Sequence, residues 1–398
     1  MSGQSRKALV LPGAGARGAY QVGVLKAIAE LLPPKAANPF SVLTGSSAGA
    51  INAAVLASRA RNFRHAVGAM ERVWANFEVN QVYKADAWTM LKSSMHWFAA
   101  MATGGLGTHN PRSLLDCSPL ESLLERSIRF PLIARALDRG HLDALAVTAS
   151  AYTSSRSVTF FQSRQPVLPW ARVRRIGRPA ELGVRHLLAS AAVPFIFPPV
   201  RIGNEYYGDG SMRHRAPLSS AIHLGADRLL VIGVRDEHPD PEPGADAEVS
   251  SPSFAHLAGY MLDTLFLDGL YADLERITRV NLMLEQLGTE KLKAPITALR
   301  PISTLIVVPR EDLRQVAARH AAELPGPMRL LLRGLGAMNK DGMQLVSYLL
   351  FESGFTRELI EMGYRDALEL RDDLHAFLFD EPMETLDAPQ FLRSELEH

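Results

Sequence analysis

The chain has 398 residues, of which 47% are hydrophobic and 21% charged, with a formal net charge of +1. This is ordinary globular composition, with enough length to bury a core unaided, and it lacks the positive excess or basic stripe of a strong nucleic-acid binder. Cys117 is the single cysteine, which excludes intrachain disulfides and suits a reducing compartment; it reads as a small half-buried thiol rather than a nucleophile.

Arg6 and Lys7 precede the apolar run Ala8-Leu9-Val10-Leu11. Pro12 and Gly13 stop that run too soon for a signal-peptide core. No window offers the roughly 18 apolar residues of a membrane span. The expectation is a soluble cytoplasmic protein that touches membranes from the side.

In chain order, Ala8 to Leu11 reads as a buried strand, followed by the loop Gly13-Ala14-Gly15-Ala16-Arg17-Gly18. Val22, Leu25, Ala29 and Leu32 then recur at helical spacing until Pro33-Pro34 ends the helix. A second unit has the same form: strand Phe40 to Thr44, tight turn Gly45-Ser46-Ser47-Ala48-Gly49, and an Ala-rich helix from Ala50 to Ala60. Two such units in succession predict a mostly parallel sheet with crossover helices. Further strands are expected at Ala144 to Ser150, Val158 to Gln162, Val200 to Tyr207 and Arg228 to Val234, the last apolar enough to be covered on both faces. Residues 239–253 form an acidic, Pro-rich loop. The division expected is a catalytic domain over 1–238 and a mainly helical extension over 254–398, with 303–309 a strand that joins the main sheet.

Gly45-Ser46-Ser47-Ala48-Gly49 matches G-x-S-x-G, the pattern of a serine on a sharp strand-to-helix turn. The flanking glycines leave room for the turn, and the next helix directs its N-terminal N–H groups towards developing negative charge. Gly13, Gly15 and Gly18 also spell G-x-G-x-x-G, but the acid that would hold a ribose about 20 residues on is absent from Ala36-Ala37-Asn38-Pro39-Phe40. An oxyanion hole built from backbone N–H groups of Gly13, Ala14, Gly15 and Ala16 is the preferred reading, with a nucleotide-binding loop as the alternative. Serine needs a proton acceptor. Two options stand: a histidine in a triad, with His214 and His223 downstream, or a carboxylate acting directly, with Asp209-Gly210-Ser211 in a tight turn after a strand. In an apolar cleft such an Asp becomes a better base.

Together the Gly13–Gly18 loop, the Gly45–Gly49 turn and Asp209-Gly210 resemble the patatin-like phospholipase family. The segment Ala189 to Val200 also resembles the block that precedes the family's aspartate. The resemblance covers roughly residues 6 to 235 and implies a three-layer α/β fold, here with a helical C-terminal extension. It implies a lipid acyl hydrolase with Ser47 as nucleophile, Asp209 as base and no catalytic histidine. It assigns the oxyanion hole to the glycine loop, with Arg17, Gly18, Gly45, Ala48, Gly49 and Gly210 as supporting motif positions. No cofactor or metal is implied, and the partner is a lipid or other acyl ester. Two departures stand out. Ala14 replaces a frequent glycine, and Ser211 follows Asp209-Gly210 where Gly or Ala is usual, placing a hydroxyl where it can lower the basicity of Asp209. Arg17 is read equally as steering an anionic head group and as fixing the loop. Trp88 to Gly107 and Pro327 to Met338 are candidates for a lid or membrane-contact helix, with core-facing packing the favoured reading of each.

Overall fold

The computed structural model describes residues 5–84, 115–213, 216–236, 251–291, 299–339, 342–383 and 386–387. The predicted strand–loop–helix units form: β1 is Lys7–Leu11, α1 Gly18–Leu31, β2 Val42–Ser46 and α2 Ala48–Ser58. Helix α3 (Phe63–Trp74) follows, then α4 (Ser118–Ser127) and α5 (Phe130–Asp138). Strands β3 (Ala144–Ala151), β4 (Ser157–Ser163), β5 (Trp170–Arg172) and β6 (Arg175–Pro179) lead to helix α6 (Val184–Ala191). The expected strand Val200 to Tyr207 is instead a hairpin, β7 (Val200–Ile202) and β8 (Glu205–Gly208). Gly203 breaks it with φ +59°, a backbone value that suits a tight turn and not a strand.

Helix α7 (Ser219–His223), β9 (Arg228–Ile232) and the long α8 (Phe254–Lys291) come next. After them lie β10 (Ser303–Val307), α9 (Leu313–His320), α10 (Gly326–Gly334), α11 (Met343–Leu349), α12 (Ser353–Glu369), α13 (Arg371–Leu378) and β11 (Leu386–Asp387). The sheet order is β11-β10-β9-β1-β2-β3-β4-β6-β5, with β8 added beside the end of β3. From β11 to β3 all pairings are parallel.

The central strands are buried on both faces. In β1, Leu9 and Leu11 enter one core while Ala8 and Val10 enter the other; in β9, Leu230 and Ile232 oppose Leu229 and Val231. Period-two alternation between two apolar layers is why these strands carry almost no polar side chains. The larger core holds α1, α2, α3 and the C-terminal helices α11 and α12, and the smaller one α7 and the middle of α8. Helices therefore cover both faces of one sheet, with the serine turn at the carboxyl end of β2.

Candidate active site

Strand β2 runs through Gly45 and Ser46, and α2 begins at Ala48, so Ser47 alone makes the corner. It does so at φ +51°, ψ −130°, a conformation costly for any L side chain and associated with functional sites. A Cβ on Gly45 would lie 2.6 Å from the Gly49 carbonyl carbon, and one on Gly49 would lie 2.1 Å from the Leu11 carbonyl oxygen. The two flanking glycines are thus fixed by close backbone approach. Ser47 stands at the N-cap of α2, yet its side chain caps nothing, which leaves Oγ uncommitted.

Asp209 follows β8 and is 2% exposed. Its Oδ1 accepts the Ser211 N–H at 2.9 Å, while Oδ2 is buried without a hydrogen bond. Burial pushes the Asp209 carboxyl up to about 6, against the opposing pull of the Ser47 hydroxyl and of the Ser211 N–H and hydroxyl. Ser47 and Asp209 are therefore adjacent, without a closed hydrogen bond between them; such bonds commonly tighten only with substrate. Ser211 acts as the sequence suggested, favouring the carboxylate, but its hydroxyl also pairs with Ser46 Oγ at 3.3 Å and desolvation outweighs it. Gly210 admits no Cβ, which would fall 2.0 Å from the Thr148 carbonyl oxygen.

The end of α6 spaces these two residues. The Ser190 hydroxyl accepts the Ser47 N–H at 2.9 Å and donates to the Thr148 carbonyl at 2.6 Å. Two residues on, the Ala192 carbonyl accepts the Asp209 N–H at 2.8 Å. Sequence reasoning placed this segment near the aspartate but did not single out Ser190; a serine in an Ala-rich helix carries no signal of its own.

The glycine loop lies beside Ser47, and Gly15 lines the same cavity. The N–H groups of Gly13, Ala14 and Gly15 are donors in none of the loop's backbone hydrogen bonds. Two side chains hold the loop from behind. Gln21 Nε2 donates to the Pro12 carbonyl at 3.1 Å. Arg17 is 2% exposed; its guanidinium bonds Ser347 Oγ twice, at 2.9 and 2.7 Å, reaches Asp263 at 3.4 Å and lies 4.0 Å from the Tyr348 ring centroid. Of the two roles read for Arg17, loop fixing matches this burial, and an exposed head-group contact does not.

The cavity that opens on Ser47 measures about 380 Å³ and is walled chiefly by apolar side chains of α2, α3 and α4, with Trp74, Phe77 and Phe351 prominent. No histidine lines it among the described residues. His223 stacks on Trp170 and bonds the Ser219 carbonyl, facing a separate cavity that also contains Asp273; His214 lies outside the described residues. Burial pushes the Cys117 thiol up to about 11, away from nucleophile chemistry. Of the two lid candidates, Trp88 to Gly107 lies outside the described residues. The other contains α10, which packs Met328 and Leu332 into the core and leaves Leu330 exposed. No helix among the described residues is long and apolar enough to cross a membrane.

No curated protein matches the sequence significantly. Among solved structures, VipD from Legionella pneumophila aligns over 93% of this chain and 67% of its own, at 12% identity and a TM-score of 0.40. Residues 9–222 match the family described as Patatin-like phospholipase, a span that includes the glycine loop, the serine turn and Asp209 and exceeds half of the chain. The chain belongs to the patatin-like phospholipase family.

Proposed function

We propose that the chain hydrolyses carboxylic ester bonds of lipids with a Ser47–Asp209 dyad. Asp209 Oδ2 takes the proton of Ser47 Oγ as Oγ attacks the ester carbonyl. The N–H groups of Gly13 to Ala16 stabilise the oxyanion, an interaction worth about 3–4 kcal/mol per donor in comparable sites. The alcohol leaves with the proton from Asp209. Water then attacks the acyl-enzyme, Asp209 again accepting the proton, and the fatty acid departs. The observation that carries this reading is a buried carboxyl with an unpartnered oxygen, beside a serine held at positive φ at the end of an apolar cavity. Membership of the family supports lipid acyl hydrolysis in general.

Contact with a lipid surface has its own support. Phe254, Leu257, Tyr260 and Met261 are 50–67% exposed at helical spacing on α8, whose next residue, Leu262, lines the Ser47 cavity. Exposed apolar side chains grouped on a helix that also lines the cavity suit an interface with acyl chains.

The test is hydrolysis of p-nitrophenyl esters and phospholipid vesicles. Ser47→Ala and Asp209→Asn each lose activity by about a thousandfold or more, and a serine-directed phosphonate labels the wild-type chain but not Ser47→Ala. Tyr260→Asp lowers vesicle hydrolysis more than soluble-ester hydrolysis. Retained activity in Asp209→Asn, with loss on substituting a histidine, overturns the dyad in favour of a triad.

A further inference from the structure

The Ser47 cavity follows one face of α2. Ala48, Ile51, Asn52, Val55 and Arg59 all line it, the three-and-four spacing of a single helical stripe. Helix α2 spans 11 residues between Ser47 and Arg59, so these two lie about 18 Å apart along its axis at ~1.5 Å rise per residue. At the Arg59 end the apolar wall gives way to cations. Arg72 from α3, whose charge acts on Arg59, and Arg126 from α4 line the same cavity, both exposed, while Arg59 is half-buried. Arg129 is near enough for its charge to act on Arg59. Arg59 Nη1 donates to Ser58 Oγ at 3.1 Å. Among the described residues no carboxylate pairs with Arg59, Arg72 or Arg126.

Each of the three stands in the last turn or at the C-cap of its helix, where the helix dipole favours a cation. That accounts for one arginine per helix. It does not account for three guanidiniums lining one apolar cavity, where burial and then the charges of Arg129 and Arg72 push the Arg59 guanidinium below its ordinary value. Guanidinium groups in such a cluster are matched by the oxygens of a carboxylate or phosphate, which several N–H donors can hold at once. A chain ending in methyl offers them no such partner.

We propose that Arg59, Arg72 and Arg126 form an anion-binding subsite at the outer end of the acyl cavity, which selects alkyl chains bearing a carboxylate or phosphate at the end remote from Ser47. The direction of the ester in this arrangement rests on the hydrolase reading above; the subsite itself does not. An ester whose acyl chain ends in a carboxylate lies with its carbonyl at Ser47 and its charge on the arginines. An alkyl phosphate lies with its tail towards Ser47.

The subsite is tested by calorimetric binding to the Ser47→Ala chain of three ligands of one chain length: methyl dodecanoate, monomethyl dodecanedioate and dodecyl phosphate. The two charged ligands are expected to bind about tenfold or more tighter than the neutral ester, the gain of a charge-assisted contact. The gap closes in Arg59→Gln and in the double variant Arg72→Gln/Arg126→Gln, which alters exposed side chains and so spares the fold. Tighter binding of the phosphate than of the carboxylate marks a phosphate-bearing lipid as the source; parity marks a carboxyl-ended acyl chain. Equal or tighter binding of the neutral ester, or a preference that survives both variants, overturns the subsite. Turnover of p-nitrophenyl dodecanoate by the wild-type chain is scored separately. Its absence with the gap intact removes the hydrolase reading and leaves the subsite, and turnover without a gap does the reverse.

Discussion

Ser47 and Asp209 are positioned through their backbones. Ser190 and Ala192, two residues apart at the end of α6, receive the N–H groups of Ser47 and Asp209. Both side chains are thereby freed for each other. The energetic cost falls on Asp209, whose carboxyl is raised to about 6 by burial. In the proposed dyad the ionised form is the active one, so kcat/KM for a neutral ester is expected to rise with pH through about 6 and level above it. Stability runs the other way. Between the ordinary carboxylate value and about 6 the folded chain binds the proton that the unfolded chain has lost, so rising pH destabilises the fold across that window. Asp209→Asn removes this term. It stabilises the chain at pH 8 by up to about 3 kcal/mol, two pKa units at ~1.4 kcal/mol each, and the gain shrinks to nothing as pH falls to 4. Urea unfolding of both chains at several pH values checks it; a variant less stable than wild type at pH 8 removes the claim. The turns that carry Ser47 and Asp209 were legible in the sequence because glycines mark them: those neighbours admit no Cβ. Ser190 was not, since a hydroxyl that receives one N–H looks in sequence like any small helical residue.

At the scale of elements, the glycine loop is held from its far side by the C-terminal helices. Arg17 ties it to Asp263 on α8 and to Ser347 and Tyr348 on α11, while the αL conformation of Gly15, at φ +52°, brings the loop against the Tyr348 carbonyl. The loop's position relative to Ser47 therefore depends on a guanidinium that touches no reacting atom. Arg17→Gln removes the Arg17–Asp263 ion pair and loosens the loop, costing about 3 kcal/mol of stability as for a broken buried pair. If the loop's N–H groups form the proposed oxyanion hole, they act most on the tetrahedral oxyanion, so kcat falls by about tenfold or more while KM changes little. An equal loss in a folded Arg17→Lys chain fits a structural role with the same direction; a rise in KM alone would place Arg17 in substrate binding instead. The element pattern itself was largely readable, because apolar runs on covered strands and helical spacing are strong signals. The errors fell at turns. Strand β2 extends to Ser46 because Ser47 alone makes the corner, and Val200 to Tyr207 divides at Gly203, where one residue at positive φ outweighs the β-favouring side chains around it.

At the scale of the whole molecule, the helical C-terminal part is packed into the catalytic layer. Helix α12 crosses α1 so closely that a Cβ on Gly23 would stand 2.0 Å from the Ile360 carbonyl oxygen, and one on Gly363 2.2 Å from that of Tyr20. Tyr20 seals the crossing by donating to Asp366 at 3.0 Å. Strand β10 lies in the sheet beside β9, and α8 contributes Leu262 to one core and Leu270 and Leu274 to the other. That these segments are helical was visible in their periodicity. Where they pack was not, because a contact made possible by a missing side chain leaves no apolar mark in the sequence. The shared core predicts that the chain unfolds as one unit, with tryptophan fluorescence from the N-terminal half and far-ultraviolet circular dichroism from the whole chain tracing one transition in urea. Gly23→Ala is the sharper test. The new methyl forces backbone apart at the α1–α12 crossing and costs about 3 kcal/mol, the upper range for overpacking. In a single cooperative unit that loss moves both signals together to lower urea. If instead the residues beyond 253 form a separate unit docked on the first, Gly23→Ala separates the two transitions, with helix from the C-terminal part surviving after the fluorescence change is complete.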